Sequence, residues 1–459
     1  MDSLQVEPQL LQRYDRPGPR YTSYPTAVEF HERFGAAEYA ACLRSLKLDQ
    51  GLSLYLHLPF CEHRCTFCGC HVVITPKREV AGRYLEYLER EMDLVCGHLA
   101  SRPKVIQYHW GGGTPTYYAP DQIRHLHALV QARFAIEPGA EVAIEVDPRV
   151  TTREHIDALL EVGFNRLSMG VQDFTPEVQE AIDRNQEEAS TRELYSYCRQ
   201  LGFNSINLDL IYGLPKQTPE GFARNLEIVL ELRPDRVALY SYAHVPWIRG
   251  HQKYIEVEAL PPREIKFALF LQARRAFLEA GYQQIGMDHF ALPTDELSQA
   301  LGQRRLRRNF MGYTVQRSPQ MMGLGISAIG QLSGAYVQNQ KKLSTYYESI
   351  EAGRLPVERG YALSEDDQVR QHVIAELMCN LYLNFAEVEA RFGINFGEYF
   401  ASELVELEAG PAADGFARIG EGCIEVTGLG QLFVRNTCML FDRHLREKPP
   451  ARPQFSRTV

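Results

Sequence analysis

Strand-like and helix-like segments alternate from about residue 52 to about residue 278, and this alternation constrains the fold more than any other feature. The strand-like stretches lie at 52–58, 104–110, 141–146, 166–172, 206–213 and 236–242. Each is followed by a stretch with helical features, which makes six strand–helix units in series. Serial units of this kind give a parallel sheet with helices packed outside it. The pattern therefore predicts an α/β fold, either doubly wound or barrel-like.

Helix boundaries can be predicted from capping residues. Apolar residues at helical spacing mark 78–95 and 121–134, and further helices are expected to end at about Leu232 and Leu278. Thr151 with Glu154, and Ser190 with Glu193, have the spacing of capping boxes, and Gly163 and Gly202 follow as helix stops. Thr218-Pro219 predicts a further helix start.

The flanking regions differ from this core. Residues 1–48 hold one short helix candidate and the stretch PGPRYTSYP, which predicts an ordered N-terminal arm. Residues 49–362 form the predicted central unit, which contains the six strand–helix units and their extensions. Its charge-free stretch from Ser318 to Gln340 predicts a close-packed loop with short elements. Residues 363–459 predict a mostly helical C-terminal domain, with helices at 366–381, 385–392, 397–408 and 431–446, a β-like piece at 423–430 and an irregular tail.

Composition excludes several classes of protein. Apolar residues make up 45% and charged residues 23%, as in ordinary globular proteins. The formal charge of −9 disfavours a dedicated nucleic-acid binder. The sequence shows neither a signal peptide nor a membrane span, so we expect a cytoplasmic protein. Clustered cysteines in a reducing compartment indicate metal binding or catalysis before disulfides.

Four of the ten cysteines fall in the segment PFCEHRCTFCGC. Cys61, Cys65 and Cys68 have the spacing C-x3-C-x2-C and follow the first strand, at the edge of a parallel sheet where ligands bind. Three thiolates can hold three irons of a [4Fe-4S] cluster and leave the fourth iron open. Zinc with Cys70 or His71 as fourth ligand, or four packed inert thiols, are the alternatives. We expect the cluster, with Cys70 as a neighbouring thiol.

This loop, with Phe67 just before its third cysteine, resembles the signature of the radical S-adenosylmethionine (radical SAM) superfamily. The resemblance implies that SAM occupies the open iron and is cleaved to a 5′-deoxyadenosyl radical. It also implies a partial (β/α)6 barrel.

Further blocks resemble one family, oxygen-independent coproporphyrinogen III oxidase. They are GPRYTSYPTA (18–27), the cysteine loop, HWGGGTPTY (109–117), EVDPR (145–149), GFNRLSMGVQDF (163–174), NLDLIYGLPKQT (207–218), YAHVP (242–246), GMDHFA (286–291), NFMGYT (309–314) and GLGISAI (323–329). The resemblance implies an enzyme of haem biosynthesis. It would convert two propionates of coproporphyrinogen III to vinyl groups without oxygen and yield protoporphyrinogen IX.

The resemblance also implies which residues serve the cofactors. Cys61, Cys65 and Cys68 would bind one cluster, and Tyr55 would join them in catalysis. Two SAM molecules are implied. The first would contact Tyr55, Gly112, Glu145 and Ile329. The second would contact Phe67, Gly113, Thr114, Gln172, Arg184, Asp209 and Ala243. Apart from the resemblance, the glycines could serve a tight turn, and the polar residues could be ordinary strand-end side chains.

An anionic tetrapyrrole needs local cations in this acidic chain. Arg20 is one candidate, in an arm that either packs on the surface or lines a pocket with Tyr21 and Tyr24. The basic run Arg304, Arg305, Arg307 and Arg308 is another, although a solvated helical face is the preferred interpretation. Met311 departs from the family block, which has glutamine there, so an amide that could hydrogen-bond a substrate or cofactor is missing at this position.

The expected partners are coproporphyrinogen III, a reduced flavodoxin- or ferredoxin-like electron donor and an unidentified electron acceptor. We expect a monomer that binds no nucleic acid. Two alternatives remain: a radical SAM enzyme acting on haem or another porphyrin, and a haem-binding or haem-transfer protein.

Overall fold

The structure, a computed structural model, describes residues 6–316, 318, 320–332, 334–447 and 455–458. Its main element is a twelve-stranded sheet. In chain order the strands are β1 (Leu52–Leu58), β2 (Lys104–Gly112), β3 (Ala135–Val146), β4 (Arg166–Gln172), β5 (Ser205–Tyr212), β6 (Arg236–Ser241), β7 (Gln283–Ile285), β8 (His289–Ala291), β9 (Met321–Leu324), β10 (Ile329–Leu332), β11 (Ala335–Asn339) and β12 (Val357–Ala362).

The strand order is β12-β11-β10-β9-β1-β2-β3-β4-β5-β6-β8-β7. All neighbours from β9 through β1 to β6 are parallel, and the outer pairs are antiparallel. The described sheet has β12 and β7 as its two outermost strands, and these do not pair with each other. The predicted partial barrel is therefore confirmed, and it is not closed. Six of its parallel strands are the six predicted from the sequence.

Helices cover the sheet and build the two ends of the chain. They are α1 (Pro8–Tyr14), α2 (Ala36–Arg44), α3 (Glu79–Cys96), α4 (Pro120–Arg133), α5 (Arg153–Glu161), α6 (Pro176–Ala181), α7 (Glu188–Gln200), α8 (Pro219–Leu232), α9 (Arg263–Glu279), α10 (Glu296–Gly302), α11 (Leu343–Glu351), α12 (Glu365–Asn380), α13 (Phe385–Phe392), α14 (Phe396–Tyr399), α15 (Ala401–Leu407), α16 (Gly428–Leu432), α17 (Val434–Met439) and α18 (Arg443–Glu447). Among the described helices, none combines the length and apolar character needed to cross a bilayer.

Two of the three predicted helix starts were wrong. Helix α5 is capped by Thr152, whose backbone N–H donates to the His155 ring, and not by Thr151. Helix α7 begins at Glu188, so Ser190 lies inside it. Thr218 is confirmed, since its hydroxyl accepts the Gly221 N–H at 3.1 Å. The two wrong starts do not follow the Ser/Thr–Glu capping pattern. At α5 a histidine ring takes the place of the glutamate, and at α7 the N-cap makes no side-chain hydrogen bond.

The chain ends contain more structure than the sequence predicts. The N-terminal region has two helices, α1 and α2, where one was predicted. The predicted helix at 397–408 is two helices, and the one at 431–446 is three. The C-terminal region also has a small sheet of strands Tyr382–Asn384, Ala417–Gly420 and Cys423–Val426, so it is helical with a sheet insert. The division at residues 48 and 362 stays a prediction.

Candidate active site

A cavity of about 570 Å³ lies at the carboxyl ends of the parallel strands. Because parallel strands present these ends at one edge, their terminal residues meet there. The cavity is lined by all but two of the predicted site residues: Cys61, Cys65, Phe67, Cys68, Gly112, Gly113, Thr114, Glu145, Gln172, Arg184, Asp209 and Ala243. Residues from six blocks that are far apart in sequence therefore share one wall.

Tyr55 and Ile329 do not line this cavity. The Tyr55 hydroxyl lies 3.1 Å from His57 Nδ1, and His57 Nε2 lies 2.9 Å from the His71 carbonyl oxygen. A carbonyl only accepts, so Nε2 carries the hydrogen and Nδ1 accepts from the tyrosine. Burial lowers the pKa of His57 to about 4, which keeps the ring neutral in this chain of bonds. Sequence reasoning missed His57, although it lies two residues after Tyr55 on the same strand.

The glycines after β2 are required by close packing within the protein. A Cβ on Gly112, which has a φ of +114°, would lie 2.5 Å from the His57 ring. One on Gly113 would lie 2.6 Å from the carbonyl carbon of Pro59. The Gly113 N–H donates to Leu58 O at 2.9 Å, which fixes the turn against β1. The turn interpretation therefore explains these glycines without a ligand.

The cysteine loop is held by contacts to three of its sulfurs. Thr114 Oγ1 lies 3.3 Å from Cys61 Sγ, and the Cys70 N–H donates to Cys68 Sγ at 3.4 Å. Burial raises the pKa of the Cys61 thiol to about 11. Cys65 is buried, and its sulfur lies beside the guanidinium groups of Arg149 and Arg184.

Asp147 and two arginines lie behind Cys65. Arg149 Nη2 and Arg184 Nη1 lie 2.7 Å and 3.0 Å from Asp147 Oδ2. Burial favours the protonated acid, but Arg184 and then Arg149 outweigh it and hold the pKa of Asp147 below its ordinary value. Sequence reasoning missed Asp147 and Arg149, although both lie in the block EVDPR from which only Glu145 was chosen.

Two further carboxylates have different environments. Glu145 accepts the Gly112 N–H at 3.1 Å and lies 3.6 Å from His109 Nε2. Its burial is outweighed by these contacts, which lower the pKa of the carboxyl. Asp209 accepts from Asn207 Nδ2 at 2.7 Å, and burial, followed by the Glu145 charge, raises its pKa to about 6. Asp209 therefore holds a proton more firmly than Glu145 does.

Gln172 projects from a distortion at the end of β4. The register with β5 shifts between Gly170 and Gln172, and Gln172 has a φ of +68°. Bulges of this kind redirect side chains near ligand sites. The residue lines the cavity, as the resemblance implies.

The N-terminal arm divides between two cavities. Arg20 lines the site cavity, forms an ion pair with Asp288 and lies over the Tyr240 ring at 6.0 Å. Tyr21 and Tyr24 are buried and line a second cavity of about 780 Å³. Only Arg20 therefore fits the predicted pocket-lining role in the site cavity.

The basic run is not a solvated helical face, because helix α10 ends at Gly302 before the run begins. Arg304 has a φ of +54° and lies 3.5 Å from the centre of the Tyr382 ring, and Arg305 is exposed. Arg307 and Arg308 begin a short strand, Arg307–Asn309, which pairs with Gly312–Thr314. Arg308 donates to the Arg20 carbonyl oxygen at 2.6 Å, which ties the run to the arm.

Met311 lies in the turn of this hairpin. Its N–H donates to Asn309 Oδ1 at 2.8 Å, and its half-buried side chain is not among those lining the site cavity.

The donor set suits an iron–sulfur cluster and its nucleoside cofactor. Three cysteine thiols on one loop line the cavity and supply soft ligands, although in the described residues no three Cys, His, Asp or Glu side chains are already gathered closely enough to hold a metal ion. Arg184 retains a buried Nε–H without a partner at the cavity wall, where a carboxylate could accept it. Asp209 and Glu145 offer oxygens to hydroxyl or ammonium groups.

Comparisons with known proteins agree with this geometry. Residues 55–229 match the radical SAM superfamily, and residues 363–433 match the HemN C-terminal domain. Oxygen-independent coproporphyrinogen III oxidase of Escherichia coli strain K12 is 46% identical over 451 residues, covering 98% of each chain. The enzyme of that name in Pseudomonas aeruginosa is 43% identical over 462 residues, covering 100% of each. The solved coproporphyrinogen III oxidase (HemN) of E. coli has a TM-score of 0.91 at 42% identity, covering 97% of this chain and 100% of that one.

The fold, the cysteine loop and these matches define a radical SAM oxidoreductase, a class of enzyme that uses a [4Fe-4S] cluster and SAM. Within that class, the chain belongs to the oxygen-independent coproporphyrinogen III oxidase family. The family resemblance of the sequence is thereby confirmed.

Proposed function

We propose that this chain converts two propionate side chains of coproporphyrinogen III to vinyl groups without oxygen, giving protoporphyrinogen IX in haem biosynthesis. The observation that carries the proposal is one cavity that is lined by the three thiols, by the carboxylates of Glu145 and Asp209, and by Arg20. The relatives that share the chain's whole length carry the name of this activity.

In this proposal Cys61, Cys65 and Cys68 would hold the cluster, which together with SAM would supply a 5′-deoxyadenosyl radical. A propionate would lose one hydrogen atom from its β-carbon to that radical. Its bond to the carboxylate would then break, with loss of CO2 and of one electron to an acceptor, so that a vinyl group remains. Two such events account for the product.

The residues of the chain bind and orient. Arg20 is buried in part, and its guanidinium lies at the cavity wall where a propionate carboxylate could meet it. Glu145, next to the last residue of β3, and Asp209, within β5, both line the cavity and would hold polar groups of SAM. Correct placement of the reacting carbon is the main contribution expected of the protein.

Two SAM molecules belong to the same proposal, with the contacts assigned from the family resemblance. So do a flavodoxin- or ferredoxin-like donor, a separate electron acceptor, a monomeric state and a cytoplasmic location. The described cavity supports the contacts of the second SAM most directly, since every residue assigned to it lines that cavity.

The test is SAM cleavage by the anaerobically reconstituted protein, measured with and without coproporphyrinogen III. We expect 5′-deoxyadenosine to form in step with a vinyl product. Cleavage that ignores the substrate and yields no vinyl product would contradict the proposal. Haem titration of the same preparation separates the binding-protein alternative, which predicts tight haem binding without turnover.

A further inference from the structure

Two cationic side chains face the sulfur of a single cysteine. Arg149 Nη2 lies 3.5 Å from Cys65 Sγ, and Arg184 Nη1 lies 3.6 Å from the same atom. Both distances are within the range of N–H···S hydrogen bonds, in which the guanidinium donates. Cys65 is 7% exposed and Arg184 is 6% exposed, so water screens these contacts little.

The two other predicted cluster ligands have neutral hydrogen-bond partners. Among the hydrogen bonds of the described residues, Cys61 Sγ is paired with the Thr114 hydroxyl and Cys68 Sγ with the Cys70 N–H. Arg184 and Arg249 also act on Cys68 through their charge. Direct hydrogen bonds from cations are therefore confined, among these three sulfurs, to Cys65. Folding of the loop does not require this difference between the sulfurs, because neutral and cationic donors could both hold a loop in place.

A single carboxylate orients both cations. Asp147 Oδ2 lies 2.7 Å from Arg149 Nη2 and 3.0 Å from Arg184 Nη1, and Arg184 Nη2 donates to Gly170 O at 2.6 Å. Two guanidinium groups against one carboxylate leave one net positive charge behind Cys65. Arginine keeps its proton throughout the physiological range, so this charge is permanent.

We propose that Asp147, Arg149 and Arg184 set the reduction potential of the cluster through Cys65. The proposal rests on the proposed role of Cys65 as a cluster ligand. One-electron reduction adds negative charge that is shared with the ligating sulfurs. Donors and positive charge at such a sulfur stabilise the reduced form and raise the potential. Arg149 and Arg184 supply the positive charge. Asp147 orients both guanidinium groups and neutralises part of their charge.

This role predicts shifts of opposite sign for two variants in the same group. Arg149→Gln removes a cation and should lower the potential. Asp147→Asn removes the anion while keeping a similar side-chain shape, and it should raise the potential. A merely structural role would predict loss of cluster or no shift, but not opposite shifts.

The experiment is a redox titration of the anaerobically reconstituted protein, followed by electron paramagnetic resonance without SAM or substrate. Iron and sulfide are counted first for each variant. Arg153→Gln is the matched charge control, because Arg153 is exposed and pairs with Glu193 on the surface. It should leave the potential unchanged. Because no substrate is present, the result does not depend on whether the chain makes vinyl groups.

If Arg149→Gln loses iron, Arg184→Gln removes the other cation that faces Cys65 and should lower the potential in its place. Arg149→Lys keeps the charge and should lower the potential less than either of these variants. An unchanged potential in an iron-replete variant that lacks one of the two cations would overturn the proposal. Shifts of Arg149→Gln and Asp147→Asn in the same direction would overturn it as well.

Discussion

At the scale of single residues, the site depends on a few side chains whose neighbours leave little freedom. Arg20 is the proposed substrate anchor, and its ion pair with Asp288 and its place over the Tyr240 ring hold it at the cavity wall. Its position follows from the arm, whose carbonyl oxygen at Arg20 accepts from Arg308. The anchor is therefore built partly from a segment outside the sheet.

Arg20→Gln should raise the KM for coproporphyrinogen III by roughly tenfold or more, since a charge-assisted contact to a carboxylate is lost. The iron content should not change. Steady-state kinetics at substrate concentrations that span the KM of each variant check this expectation. Arg16→Gln is the control, because Arg16 is an exposed residue of the same arm. An equal effect of both variants would contradict the assignment.

Glycine positions give a second prediction at this scale. Gly113→Ala should destabilise the chain by about 1–3 kcal/mol, because a Cβ would lie 2.6 Å from backbone atoms of Pro59. In helix α3, a Cβ added at Gly82 would meet no atom within 4 Å, so Gly82→Ala should stabilise the folded chain by up to about 1 kcal/mol. Denaturant unfolding of both variants measures the difference. If both variants changed the free energy of unfolding in the same direction, close packing would not be the reason for a glycine at position 113.

At the scale of elements, helix α3 is joined to the turn between β9 and β10 by a buried acid. Glu91 is 1% exposed and accepts the Gly325 N–H at 2.7 Å and the Tyr346 hydroxyl at 2.6 Å. Tyr84 of the same helix donates to the His57 carbonyl oxygen at 2.8 Å and accepts the Ile326 N–H. The end of β1 and the segment that leads to Ile329 are thus fixed by one helix.

Burial raises the pKa of Glu91 to about 7. The folded state therefore binds the proton more tightly than the unfolded state does. The resulting stability is present at low pH and is lost as the pH rises through about 7. Over that rise the wild type should lose up to about 3 kcal/mol relative to Glu91→Gln.

Unfolding curves of the wild type and Glu91→Gln between pH 5 and pH 8.5 measure this loss. Glu86→Gln, an exposed position on the same helix, serves as the control and should show no such pH-dependent difference. A difference between the wild type and Glu91→Gln that stays constant with pH would contradict the titration of Glu91.

Elements also show what sequence can and cannot predict. The six parallel strands were predictable because buried strands carry continuous or alternating apolar residues, as β1 does in Leu52–Leu58. Strand β9 was not, since Met321–Leu324 is short and its parallel pairing with β1 bridges more than 250 residues of chain. Helix starts were predicted wrongly where the N-cap Thr152 is paired with the His155 ring and where the N-cap has no side-chain hydrogen bond.

At the scale of the whole molecule, the two chain ends close one side of the protein. Arg435 is buried and donates to Pro19 O and to Arg457 O, both at 2.9 Å. Tyr21 of the arm donates to Asp442 at 2.9 Å. These contacts hold the arm that carries Arg20, so the C-terminal region supports the site without lining it.

The same scale explains which site residues the sequence revealed. The cysteine loop was predictable from local spacing, because its ligands lie within eight consecutive residues. Asp147, Arg149 and His57 were missed, because their importance comes from contacts to Cys65 and Tyr55 that only the folded chain creates. The basic run was misread because α10 ends before it and the arm packs on it.

The proposed activity of this chain is the conversion of coproporphyrinogen III. It can be tested by the mass and absorption spectrum of the product after anaerobic incubation with SAM and a one-electron reductant. We expect a tetrapyrrole that has lost two molecules of CO2 and carries two vinyl groups, together with 5′-deoxyadenosine. Unchanged coproporphyrinogen III beside consumed SAM, in a protein with a full complement of iron, would contradict it.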